Sequence, residues 1–135
     1  MGEIYKTAAS LRIMGDELDP EKITELIGKA PSSVRKKGAP FNTPNGKQLI
    51  ARTGSWSISA ETKSPGDIDS QVTEILEGTT SNMAVWLELS KKFKVEIFGG
   101  FFLGDYNEGL TISSKTMLLL GERGIQLDMD IYGAN

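Results

Sequence analysis

Alternation at a period of two marks both ends of the chain, and it constrains the fold more than any other feature. Between Ile4 and Met14, residues Ala9, Leu11 and Ile13 fall on one side and Ser10, Arg12 and Met14 on the other. Near the far end Ile125, Leu127, Met129 and Ile131 alternate with Gln126, Asp128, Asp130 and Tyr132. Successive strand side chains point to opposite faces, so each run reads as a strand with one buried and one solvated face. Such a sheet needs cover on one side only, and segments with helical spacing supply it.

Asp19-Pro20-Glu21 opens a helix with Asp19 as N-cap and Pro20 at its first position; Ile23, Leu26 and Ile27 form its buried stripe and Gly28 ends it. Asp67 caps a second helix carrying Ile68, Val72, Ile75 and Leu76 on one face. Thr80 or Ser81 caps a third, reaching about Phe93, with Val85, Trp86, Leu87 and Leu89 along it and Lys91-Lys92 at its negative end. Ser113 caps a fourth, whose interior Met117-Leu118-Leu119-Leu120 is apolar all round and predicts burial on every side.

From Pro31 to Gly46 the pattern disappears into serine, proline, Asn-Gly and basic residues, which predicts a long loop. Lys47 to Arg52 and Ser55 to Glu61, on either side of Thr53-Gly54, predict a hairpin. Val95 to Leu103 reads as a strand softened at Gly99-Gly100, and Leu110 to Ile112 as a short one after the turn Asp105–Gly109. The order of elements predicts one α+β domain spanning residues 1–135, its sheet antiparallel or mixed and its helices mainly on one face. Leu18–Leu26 and Ile112–Leu120 echo one another, which admits two related βαβ halves of ferredoxin-like or split-βαβ type.

The chain has 135 residues with no cysteine and no histidine. Disulfides, thiolate nucleophiles, imidazole bases and imidazole or thiolate metal sites are thereby excluded. Catalysis would have to use carboxylates, lysines, tyrosines or a carboxylate-bound divalent metal. A net charge of −3 argues against broad nucleic-acid binding. There is no apolar run of membrane-spanning length, no leader-like stretch and no phosphate-cradling glycine motif. A cytoplasmic location, no cofactor, no metal, no nucleic acid and no membrane association are the expectations. Asp16, Glu17, Asp19 and Glu21 lack the glycine and bidentate glutamate of a calcium loop and serve helix capping instead.

Two surfaces carry candidate ligand-binding residues. Arg35, Lys36, Lys37 and Gly38 put three cations beside a glycine, a composition suited to a small anion. Asp128, Asp130 and Tyr132 share one face of the last strand; if the first strand lies beside it, Arg12 and Ser10 face them. Paired carboxylates of this kind suit Mg²⁺ binding or acid and base roles, and the competing, favoured reading of that face is an ordinary solvated ion-pair ladder. Phe98, Phe101 and Phe102 cannot all point inward from one strand, which makes them interface candidates for a protein partner or a second copy of the chain. Trp56 and Trp86 are expected in the core.

Ser10–Pro20 (SLRIMGDELDP), Arg35–Gly38, Gly54–Ser59 (GSWSIS) and Gly124–Tyr132 (GIQLDMDIY) together resemble the bacterial family catalogued as domain of unknown function 4279. The likeness covers nearly the whole chain and implies a single-domain protein, without any activity or catalytic residue to carry over. The residue types favour a non-catalytic binding or interaction module, a regulator or a toxin-neutralising partner suited by its acidity to basic targets. An enzyme using carboxylates and a lysine, a small-anion binder acting through the Arg35-Lys36-Lys37 loop, and a purely structural subunit are the alternatives.

Overall fold

The computed structural model describes residues 2–135. In chain order its elements are β1 (Gly2–Glu3), β2 (Lys6–Gly15), α1 (Pro20–Ile27), β3 (Ser33–Arg35), β4 (Pro40–Asn42), β5 (Gln48–Ile50) and β6 (Gly54–Ser59). There follow α2 (Ile68–Leu76), α3 (Met83–Lys92), β7 (Lys94–Phe102), β8 (Glu108–Gly109), α4 (Ser114–Gly121) and β9 (Gln126–Tyr132).

Five strands form one mixed sheet in the order β3-β6-β2-β7-β9. β2 is central and antiparallel to both neighbours, β3 is antiparallel to β6, and β9 runs parallel to β7. Register carries the alternation of β2 across the sheet: Leu11 faces Ile58 and Ile97, and Ile13 faces Trp56 and Val95. All four helices cover that apolar side, where Ile23, Ile27, Val72, Ile75, Trp86 and Leu89 complete the core. The fold is therefore α+β with a mixed sheet and one-sided helical cover.

The caps follow the sequence. Asp19, Asp67 and Ser113 accept from backbone N–H groups of α1, α2 and α4, and Gly28 ends α1 at φ +80°. The third cap is Asn82 rather than Thr80 or Ser81, because the Thr80 hydroxyl accepts from the Asn82 N–H and its carbonyl from the Trp86 indole.

Four expectations are corrected. The hairpin predicted across Thr53-Gly54 does not form. β6 is taken up by β2 and β3, while β5 turns back on β4 through the tighter Asn45-Gly46 turn, with Gly46 at φ +85°. The predicted long loop thus holds two short strands, β3 and β4. Leu110–Ile112 is not a strand; the pairing there is β8 with β1. α4 is not buried all round, since Met117 and Leu118 are exposed. Two βαβ units exist but are wound differently: β6 lies between β2 and β3, whereas β7 and β9 are adjacent.

One polar node docks α2 onto β2. Thr7 and Gln71 are fully buried; the Thr7 hydroxyl donates to Gln71 Oε1 at 2.8 Å and accepts from the Asp67 N–H at 2.8 Å. The Gln71 amide donates to the carbonyls of Thr7 and Glu61, both at 2.9 Å. Every member is satisfied, so removing one strands the others. Thr7→Val preserves volume but orphans the Asp67 N–H and Gln71 Oε1. It is expected to lower unfolding free energy by about 1–3 kcal/mol, read by urea denaturation. A loss under about 0.5 kcal/mol would show that the node is dispensable.

Candidate functional site

Among the described residues no helix covers the other side of the sheet. By register its rows run Arg35–Ser55–Met14–Lys94, then Ser33–Ser57–Arg12–Glu96–Gln126, then Ser59–Ser10–Phe98–Asp128. Over the β3-β6-β2 half, the β4–β5 hairpin and the Ala51–Thr53 segment rise as a wall and form a groove of about 1170 Å³. Its floor is serine hydroxyls and its cations are Arg12, Arg35, Lys37 and Arg52; no carboxylate lines it.

The two arginines that flank the floor are held by rings. The Arg12 guanidinium lies 3.9 Å from the centroid of Phe98, and that of Arg35 lies 3.8 Å from the centroid of Phe41. Neither has an ion-pair partner among the described residues, so their in-plane N–H groups remain for a ligand. Arg12 and Ser33 share a row two strand spacings apart, roughly 10 Å. Lys37 differs: it pairs with Asp16 at 3.1 Å, and that bond together with Thr53 holds Asp16 below the usual carboxylate range.

The β7-β9 half is acidic. Glu96 is 3% exposed, although it lies on the helix-free face. Burial and the adjoining Asp128 carboxylate push Glu96 above the usual range. Asp128 is held below the usual range, mainly by its interaction with the Glu96 carboxyl. Lys94 Nζ stands 3.5 Å from Glu96 Oε1 and 3.7 Å from Asp128 Oδ2. At the end of the sheet Phe102 stacks on Tyr132 at 4.6 Å with Lys6 above it, and the Tyr132 hydroxyl donates to Asp130 at 2.8 Å, raising the tyrosine pKa.

The structure thus brings Arg12, Arg35, Lys37 and Gly38 into one groove and leaves Lys36 outside it. Gly38 supplies no anion donor, because its N–H is spent on the Ala51 carbonyl at 2.8 Å. Asp128, Asp130 and Tyr132 do share a face with Arg12, but β7 intervenes, so Arg12 and Ser10 do not lie across from them. The basic segment and the acidic strand occupy opposite edges of one face. Phe101 is withdrawn from the interface candidates: it is buried in the core. Phe98 and Phe102 are half-buried under Arg12 and Lys6. Among the described residues no group of three or more His, Cys, Asp or Glu is placed to hold a metal, and no helix is long and apolar enough to cross a membrane.

Sequence reasoning missed Glu96 and Arg52. Glu96 had a signal: it is the one acid inside the otherwise apolar run Val95–Phe102. The family model described as a domain of unknown function, DUF4279, matches residues 3–134. No curated protein and no solved structure matches the chain.

Linkage fixes the pH behaviour of the carboxyl pair. The raised Glu96 pKa gives stability that is complete below the ordinary glutamate range and is lost as pH rises through the raised value. The lowered Asp128 pKa gives stability present above the ordinary aspartate range and lost as pH falls through the lowered value. Glu96→Gln keeps a donor toward Asp128 and cannot ionise. Its urea midpoint is expected to change less than that of the parent between about pH 5 and about pH 8. Equal slopes would mean that Glu96 titrates as an ordinary carboxylate.

Proposed function

Since the chain belongs to the family of domain of unknown function 4279, we propose its function from the geometry of the open face: it is a non-catalytic binding module that takes a small polyanionic ligand in the groove beneath the β4–β5 hairpin. The observation that carries this reading is the lining itself, four cations and five serines without one carboxylate. Two unpaired guanidinium forks, each fixed by an aromatic ring, are pre-organised for carboxylate or phosphate oxygens. The serine hydroxyls between them can donate to further anionic oxygens or accept from hydroxyls of the ligand. The absence of a general base among the lining residues supports binding over turnover, since the Glu96–Asp128 pair belongs to the other half of the face.

Isothermal titration with pyrophosphate and with citrate as probes tests this. A saturable heat is expected for at least one, and Arg12→Ala and Arg35→Ala are each expected to weaken it at least about tenfold, the effect of losing a charge-assisted hydrogen bond. Lys37→Ala, already neutralised by Asp16, is expected to change affinity less than about threefold. Unfolding midpoints of the variants separate a binding loss from a folding defect. Arginine variants that are folded and bind like the parent would remove the groove from consideration.

A further inference from the structure

The sheet has a second unoccupied feature, at the edge opposite the groove. β9 pairs with β7 on one side, and among the described residues no strand lies on its other side, where its backbone N–H and C=O groups are unpaired by the sheet. Natural sheets guard such edges with short strands, prolines, bulges or lysines. β3, the other edge, is only three residues long. β9 runs seven residues with no proline, glycine or lysine, and its register against β7 is continuous from Gln126 to Tyr132.

Its two faces differ in chemistry. On the helix side, burial fades along the strand from Ile125 through half-buried Leu127 to Met129 and Ile131, which are 56% and 63% exposed. On the helix-free side the same stretch presents Asp128 and Asp130.

We propose that the free edge of β9 binds an extended peptide segment of another protein by strand addition. The segment alternates basic residues, set beside Asp128 and Asp130, with apolar residues set beside Met129 and Ile131. Backbone pairing supplies affinity and the alternation supplies specificity, as in other edge-strand recognition.

Charge complementarity decides the occupant. A second copy pairing antiparallel about a twofold axis must set residues of equal parity opposite one another. Centring the axis on Asp128 or on Asp130 puts that aspartate opposite itself, and centring it on Met129 puts Asp128 opposite Asp130 twice. Each of these registers, the only symmetric ones that pair five or more strand residues, is penalised by like charges directly across. A segment with lysine or arginine at those positions turns the same contacts favourable.

The test uses the full chain and a capped, fluorescently labelled peptide alternating lysine and valine. Saturable binding by anisotropy is expected, together with slowed amide exchange within Gln126–Tyr132. N-methylating the peptide amides on its pairing edge, and separately Asp130→Lys in the protein, should each weaken binding at least about tenfold. Arg12→Ala, which disables the groove, should leave it unchanged, so this surface and the groove stand or fall separately. The proposal is overturned by absent binding, or by an N-methylated peptide that binds as well as the parent. It is equally overturned if Asp130→Lys binds as well as the parent, or if a peptide-free dimer already protects β9.

Discussion

One-sided burial of β2 is the constraint on which the rest of the structure depends. Thr7, Ala9, Leu11 and Ile13 leave water together, and antiparallel pairing on both flanks forces β6 and β7 to present Trp56, Ile58, Val95 and Ile97 to the same side. Four short helices then have one surface to cover, and each is too short to be stable without it. The opposite face is left to residues that tolerate water, and its serines, arginines and carboxyl groups become the floor of the groove and its surroundings. Fold and candidate site are in this sense two consequences of one alternation.

What could be read from the chain is what local chemistry decides. β2, α1, α2 and the N-caps at Asp19, Asp67 and Ser113 depend on spacing and on a single capping side chain, and all appear where the sequence puts them. Partner choice is not local. Thr53-Gly54 separates β5 from β6 without joining them, because β6 gains more from lying between β2 and β3, burying Trp56 and Ile58, than from folding back on an exposed strand. The apolar rows of α4 and β9 misled for a related reason. Both promise burial, but β9 is an edge, and Met117, Leu118, Met129 and Ile131 remain exposed.

The site was legible in its residue types and not in its assembly. Arg12 and Arg35 were singled out from separate segments; nothing in the sequence says that β3 and β2 share β6 as a neighbour, which is what puts both on one groove. Asp128, Asp130 and Tyr132 were rightly placed on one face, yet the strand beside them is β7, whose Glu96 and Phe98 lie between them and Arg12. Phe41, which holds Arg35, sat in a stretch with no pattern at all, and the turn that separates the two, Lys36–Ala39 with Gly38 at φ +83°, carried no sequence signal that pointed to their contact.

The division of the open face into a cationic half and an acidic half is maintained at a single cross-strand pair. Arg12 stands directly opposite Glu96, the position from which a guanidinium and a carboxylate would ordinarily join. No ion pair connects them: Arg12 lies on the ring of Phe98, and Glu96 is paired with Lys94. Burial and the neighbouring Asp128 carboxylate raise the Glu96 pKa, and Lys94, 3.5 Å away, supplies the cation that Arg12 does not. Glu96 thus has its cation on its own strand, and Arg12 is left without an ion-pair partner on the β2 side. The cation facing the groove is free because the acid across from it is paired within its own strand.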